Sequence, residues 1–442
     1  MGTINKALKI KEIRRGLMYM AAVLVLIRIG SQIPVPGIDR EYIKTWFESQ
    51  SDALGFLGTF TGGSFEKMSV FALSITPYIT STIIMQLLTI AFPALEELSQ
   101  DGEQGRKKIT VATRCLTIGL SVGEALSMSL GFGNQGLIPD MSVLKVVTIV
   151  SVLTAGSAFL MWIGEQVSEN GIGNGISFIL VVNILSGMPH NFTSLFEQFV
   201  AGKTVAKAAL SAAVIVGIVI TTVVTVVILE GAVRNIPIRY SRKTAGQEFF
   251  NAEGTTIPLK VNTSGVIAVI FASSILSFPG MVSAFIGKTG TGTWWDKVLA
   301  VLNQANWFDP ARPAYTAGYA VYAVLVIFFA YFYTSITFNP MLIADNLRKS
   351  GGVIPGVRPG LPTEKFLKDV LRYIIFIGAA GLLLIATIPM ALSGIFNAGV
   401  AFGGTSVIII VGVTIDTVRQ IDAVLAMHNY RGFVTRRKGG RQ

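Results

Sequence analysis

The 442-residue chain is expected to be an all-α polytopic membrane protein, and three observations predict that class. Hydrophobic residues make up 51% of the sequence and charged residues only 14%, against roughly 25% charged in a soluble globular domain. Mean hydropathy is +0.61. Apolar runs of about 17–25 residues, long enough to cross a bilayer as a helix, recur from end to end.

The runs place spans near 16–34, 68–92, 110–130, 143–163, 173–187, 208–229, 263–286, 315–338, 370–392 and 401–418, about ten in all. The fifth is short and broken by glycine. The basic N-terminal stretch enters the first span without a small-residue cleavage site, so no cleavable signal peptide is expected. Net charge is +11, and its placement is uneven. Alternate loops (1–15, 93–114, 164–175, 231–262, 339–372 and 419–442) hold 26 Lys and Arg, and the opposite loops nine. The positive-inside rule then puts both termini in the cytoplasm, as an even number of spans requires. Arg28 lies within the first span, close enough to its end that snorkelling to the interface is the expected behaviour, with pairing to a partner as the alternative.

With five spans in each half, 1–187 and 188–442 run through the membrane in opposite senses. That invites an inverted arrangement with a working site between the halves. The segment 54–67, LGFLGTFTGGSFEK, is apolar but too short to span. A half-length segment beside a span usually means that something is opened, closed or bound near mid-membrane. The second span carries Thr76, Thr80, Ser81, Thr82 and Gln86, and the seventh Ser273, Ser274 and Ser277. Such hydroxyls mostly bond back to their own helix, but their concentration on two helices fits a seam that separates and tolerates brief wetting. Pro77 is expected to weaken the second span by removing a backbone donor.

GIGNGIS (171–177) lacks the lysine of a phosphate loop and reads as a tight turn, with Asn174 capping the next helix. Asp416 and Arg419, at the cytoplasmic end of the last span, are spaced for a local ion pair. The cytoplasmic loops 231–262 and 339–369 mix basic residues with Ile, Phe, Tyr and Pro rather than with the Gly and Ser of a flexible linker. IPIRYSRK predicts a short strand carrying Arg239 and Arg242. PGVRPG holds Arg358 at the tip of a tight turn. A docking platform for a cytoplasmic partner is the reading preferred over loops whose charge serves topology alone.

Several chemistries are excluded. Cys115 is the single cysteine, so neither an intramolecular disulfide nor a cysteine-rich metal site is expected. There is no Walker motif, no HExxH zinc site and no chain of intramembrane acids or histidines for a proton relay. Neither cofactor, metal nor catalytic residue is therefore expected, nor direct sequence-specific nucleic-acid binding, and any ATP-driven work falls to a partner. A secondary transporter of a small solute is the competing class; it would need a polar pocket near the midplane. An intramembrane protease would need a catalytic pair that is not evident.

SITPYITSTIIMQLL, DGEQGRKKI, GEQVSENGIGNGIS, FASSILSFP, PGVRPG and FGGTSVIIIVGVTID, in that order along the chain, resemble motifs of the SecY family of protein-translocation channel subunits. The resemblance covers essentially the whole chain. It implies two five-helix halves around a central hourglass pore that opens across the membrane for secretory polypeptides and sideways to the lipid bilayer for signal sequences and membrane segments. By position in the matching motifs, Ile75, Ile79, Leu180, Ile184, Ile270 and Ile409 would form the constriction ring; Leu180 stands where family members often have isoleucine. The short segment at about 54–65 would be the plug, with Leu57 and Phe60 on it and Gly62 and Gly63 as its hinge. Thr80, Ile83, Gln86, Ser273 and Ser274 would line the lateral gate. Arg239, Arg242 and Arg358 would dock the SecA motor ATPase and the ribosome. Small SecE and SecG subunits are the implied membrane partners, and the bacterial plasma (inner) membrane the implied location.

Overall fold

The computed structural model describes residues 10–38, 61–134, 142–199, 205–240, 256–286, 294–308, 310, 312–396 and 404–438. The first half contains α1 (Lys11–Gly30), α2 (Thr76–Ala91), α3 (Pro93–Gln100), α4 (Gly102–Asn134), α5 (Val143–Asn170) and α6 (Gly175–Phe199). The second contains α7 (Val205–Gly231), α8 (Ile267–Ile286), α9 (Trp294–Leu302), α10 (Ala317–Thr337), α11 (Pro340–Lys349), α12 (Leu361–Phe396) and α13 (Gly404–Lys438). Short strands β1 (Val233–Pro237), β2 (Arg239–Tyr240) and β3 (Thr256–Lys260) lie between α7 and α8, with β4 (Gly352–Val353) following α11.

Each of the ten expected spans overlaps one of these helices. By length and hydropathy, five helices among the described residues suffice to cross a bilayer, or six if α2 and α3, bent by 109°, form one broken span. The bend falls at Phe92, an extended residue followed by Pro93, because a residue before proline is driven out of the helical region.

Two span boundaries differ markedly from the sequence expectation. The second span was expected from residue 68, yet helix begins only at Thr76. Residues 61–75 form turns instead, with left-handed backbone at Gly62, Gly63, Met68 and Ser74. Pro77 therefore sits in the first turn of α2, where its absent N–H has no helical partner to lose; it starts the helix rather than weakening it. The fifth span was expected to end at 187, but α6 runs through Pro189 to Phe199, so the expected division between halves at 187/188 falls inside a helix. Asn174 caps α6 as expected, its Oδ1 accepting from the amides of Ile176 (3.0 Å) and Ser177 (3.4 Å).

Residues 61–75 are packed, not draped. Phe65, Met68, Ala72 and Leu73 are buried with Val35, Ala125, Met128, Phe132, Ile149 and Leu153. Gly156 allows the segment to lie directly on α5, since a Cβ there would stand 2.0 Å from the Val70 carbonyl oxygen. In the first half α4 packs on α2 and α5, while α5 also meets α6 and α1. In the second, α10 joins α8 to α12, and α13 packs on α7 and α12. The halves meet on one side through α6 against α13 and α7, and on the other through α4 against α8.

Candidate pore, gate and docking surface

The six candidate ring residues come from four helices or their starts: Ile75 and Ile79 at the head of α2, Leu180 and Ile184 on α6, Ile270 on α8 and Ile409 on α13. All six belong to one apolar cluster. Five are buried, and Ile79 is half-buried against them. Branched aliphatic side chains at a constriction exclude water and ions while offering a passing chain no polar site to stick to.

Of the candidate plug, Leu57 and Phe60 lie outside the described residues. Gly62 and Gly63 both have left-handed backbone, with φ of 62° and 76°. Gly62 lies against α6 so closely that a Cβ would stand 2.6 Å from the Asn183 carbonyl oxygen. The same asparagine donates from Nδ2 to Ser74 Oγ (2.9 Å), and its Oδ1 accepts from Arg28 Nη2 (2.8 Å). Arg28 also donates to the Val182 carbonyl (3.3 Å). The guanidinium thus turns inward to a partner rather than snorkelling to the interface. An unpaired cation within a span is costly, and a carboxamide together with a helix carbonyl supplies acceptors to the half-buried guanidinium. Asn183 was not singled out from the sequence, although an asparagine inside FILVVNIL is the signal that could have found it. Glu124 of α4, a half-buried carboxylate within an expected span, was likewise passed over.

On the candidate gate helices, Thr80, Ser81 and Thr82 donate to the carbonyls of Thr76, Pro77 and Tyr78, as expected of membrane hydroxyls. Ile83 packs half-buried against the main cluster. Gln86 Oε1 is buried without a hydrogen-bond partner among the described residues. Ser273 of α8 is fully buried and Ser274 half-buried. At this seam, which the third span was expected to flank, α8 contacts the first half chiefly through α4.

In the first basic loop, β1 pairs with β3 in antiparallel register, Val233 opposite Lys260 and Pro237 opposite Thr256. Arg239 lies in a strand, as IPIRYSRK predicted, but its partner is remote. β2 pairs with β4, Arg239 opposite Val353 and Tyr240 opposite Gly352, so the two basic loops form one connected surface. Gly352 is required by this approach, since a Cβ would meet Tyr240, Leu347 and Ile238 at 3.0–3.2 Å. Ile236, Ile238, Leu259, Leu347 and Ile354 are buried beneath. Arg239 and Arg358 are exposed, and Arg242 lies outside the described residues. The Arg358 turn is flanked by left-handed Gly356 and Gly360. The Arg358 carbonyl accepts from Thr363 Oγ1 at 2.8 Å, which leaves its guanidinium outside the hydrogen bonding that holds the turn.

The expected local pair at the end of the last span is present but loose, and longer-range partners reinforce it. Asp416 takes Lys260 at 3.0 Å, whereas Arg419 stands 4.0 Å from it. Arg419 also donates to the Glu230 carbonyl (3.0 Å) at the C-terminal end of α7, where a cation complements the helix dipole. The buried Glu230 carboxylate accepts from Asn262 Nδ2 (2.6 Å). Gln420 Oε1 accepts from the Gly173 amide (2.7 Å), so α13 grips the α5–α6 turn of the other half.

Comparison with known proteins places this architecture. A family model described as SecY matches residues 69–418. A protein translocase subunit SecY from Halalkalibacterium halodurans is 39% identical over 439 residues, covering 98% of this chain and 99% of the relative. One from Streptomyces scabiei is also 39% identical, over 446 residues, covering 97% and 98%. The solved structure described as "The structure of a protein conducting channel" superimposes with a TM-score of 0.62 at 19% identity, covering 92% of each chain. "Sec61 in the Canine ribosome-channel complex from the endoplasmic reticulum" gives 0.61 at 18%, also covering 92% of each. The motifs in sequence order, two helical halves meeting over an aliphatic cluster, and full-length relatives at this identity lead to one conclusion: the chain belongs to the SecY family.

Proposed function

We propose that this chain is the central subunit of a protein-conducting channel, carrying unfolded secretory polypeptides across a bacterial plasma membrane and releasing membrane segments sideways into lipid. The observation that carries the proposal is the near end-to-end identity of 39% with bacterial protein translocase subunits. The aliphatic cluster between the halves supports a seal at Ile75, Ile79, Leu180, Ile184, Ile270 and Ile409 that dewets when empty and yields to a chain. In this reading ten spans form two halves of five, with both termini in the cytoplasm. Residues near 54–65 block the external side of the ring, and the seam bearing Thr80, Ile83, Gln86, Ser273 and Ser274 parts toward lipid.

The joined basic loops, through Arg239, Arg242 and Arg358, receive the source of force. That source is a SecA-type motor or a ribosome; one structural neighbour is described as a channel in complex with a ribosome. SecE- and SecG-like subunits complete the assembly in the membrane. A small-solute transporter is not favoured, because the candidate constriction is aliphatic and offers a solute no polar pocket.

Reconstitution tests the proposal. The chain is placed in vesicles with its small subunits, and a precursor is added with motor and ATP. The expected result is ATP-dependent protection of the precursor from external protease. Absence of protection, with all partners present and a known translocase active in parallel, would overturn it.

A further inference from the structure

Residues 61–75 are held in a conformation that an ordinary chain disfavours. Gly62, Gly63, Met68 and Ser74 all have left-handed backbone, the last two without the freedom of glycine. Such a segment persists only where its surroundings over-determine it. Buried side chains fix its middle. Its two ends are fixed by one residue, Asn183. The backbone of Gly62 rests on the Asn183 main chain, and Ser74 Oγ accepts from Asn183 Nδ2 at 2.9 Å. The carboxamide is oriented from its other end, where Oδ1 accepts from Arg28 Nη2 at 2.8 Å. An amide that accepts a cation's proton on one side and donates on the other cannot flip without losing both bonds. The residues next to it in the chain, Ile27, Val182 and Ile184, are buried. In such surroundings each hydrogen bond is stronger than in water and costlier to leave unmade.

The positions along the chain give the network its consequence. Ser74 immediately precedes Ile75, and Asn183 immediately precedes Ile184, both candidates for the constriction. We propose that Asn183, oriented by Arg28, is a positioning residue that latches the root of the plug to α6 and so sets how strong a signal sequence must be to open the channel. The inference rests on the translocation reading above. Opening requires Ser74 and Gly62 to leave α6, and an arriving signal sequence must supply the free energy to break the latch. A weak latch lets weak signals through. Once the Asn183–Ser74 bond breaks, the left-handed backbone at Ser74 is free to relax, which favours an all-or-none release over a gradual one.

The test uses the reconstituted complex with its small subunits, motor and ATP, and two precursors. One carries its native signal sequence; the other carries the same signal with a charged residue in its apolar core. The readout is the ratio of defective to native precursor transported. In Asn183→Leu, which keeps the volume but removes both bonds, the ratio is expected to rise at least tenfold, as loss of one neutral and one charge-assisted hydrogen bond implies. Ser74→Ala is expected to move it in the same direction by less, since the Arg28 bond remains. Asn183→Asp is expected to hold the ratio at or below that of the unsubstituted channel, because the carboxylate pairs with Arg28 and accepts from the Ser74 hydroxyl. A position that mattered for packing alone would not separate Leu from Asp in this way. An unchanged ratio in Asn183→Leu and Ser74→Ala, or a rise in Asn183→Asp matching that of Asn183→Leu, would overturn the latch. Failure of the unsubstituted complex to move the native precursor would instead count against the translocation reading itself.

Discussion

Replacing Arg358 with glutamate is expected to lower motor-driven transport about a hundredfold, the consequence of placing a like charge where a partner presents acids, at several kcal/mol and about 1.4 kcal/mol per decade. The substitution should leave the turn itself intact. Thr363 Oγ1 bonds the Arg358 main-chain carbonyl, and the left-handed glycines at 356 and 360 flank the turn, so the guanidinium is not needed to hold it. The variant should therefore still insert into the membrane and keep its thermal stability in detergent, with transport alone reduced. The assay is ATP-dependent protection of a precursor in reconstituted vesicles, alongside membrane extraction of the variant. Arg358→Lys should retain part of the activity, because it keeps the charge while losing the bidentate geometry of a guanidinium. Normal transport by the glutamate variant would remove Arg358 from the docking surface.

The second large effect is expected at the constriction. Ile184 and Ile409 are 2% and 1% exposed and come from opposite halves. Truncating a buried isoleucine to alanine costs about 2–5 kcal/mol. Where that loss falls on the closed seal rather than on both states, each substitution shifts the channel toward a wetted state by a decade or more, at about 1.4 kcal/mol per decade. The paired variant Ile184→Ala/Ile409→Ala should raise single-channel or bulk ion leak through resting vesicles at least tenfold. Leucine at the same positions should leave the seal nearly tight, because it conserves volume. A paired alanine variant with leak equal to that of the unsubstituted channel would mean that the two residues pack the core without sealing a pore.

How much of this was legible in the sequence follows a physical line between local and non-local effects. Apolar length alone located a helix at every expected span. Local turn chemistry was readable too: Asn174 caps α6, and PGVRPG turns between left-handed glycines. Most of the departures involve partners far apart along the chain. Residues 68–75 have the composition of a helix, yet contacts with α5 and Asn183 hold them in turns, so Pro77 begins a helix instead of interrupting one. Arg28 looked free to reach the interface because Asn183 is distant in sequence. Asp416 looked destined for Arg419, three residues on, but Lys260 reaches it more closely. The strand at Arg239 was legible from its own residues; its pairing with Gly352–Val353, which fuses two loops into one surface, was not. The candidate ring is the extreme case. Six aliphatic residues in aliphatic helices carry no local mark, and only the family motifs single them out from the rest of the core.

The most direct test of the central claim is site-specific photocrosslinking from Ile79 and Ile270 to a secretory chain stalled in transit through reconstituted vesicles with the motor present. The two positions lie on α2 and α8, in opposite halves of the molecule. The account predicts adducts to the stalled chain from both, and loss of both adducts when the chain is allowed to complete its passage. A chain that crosses the membrane while neither position crosslinks to it would contradict the claim that polypeptide passes between the halves at this cluster.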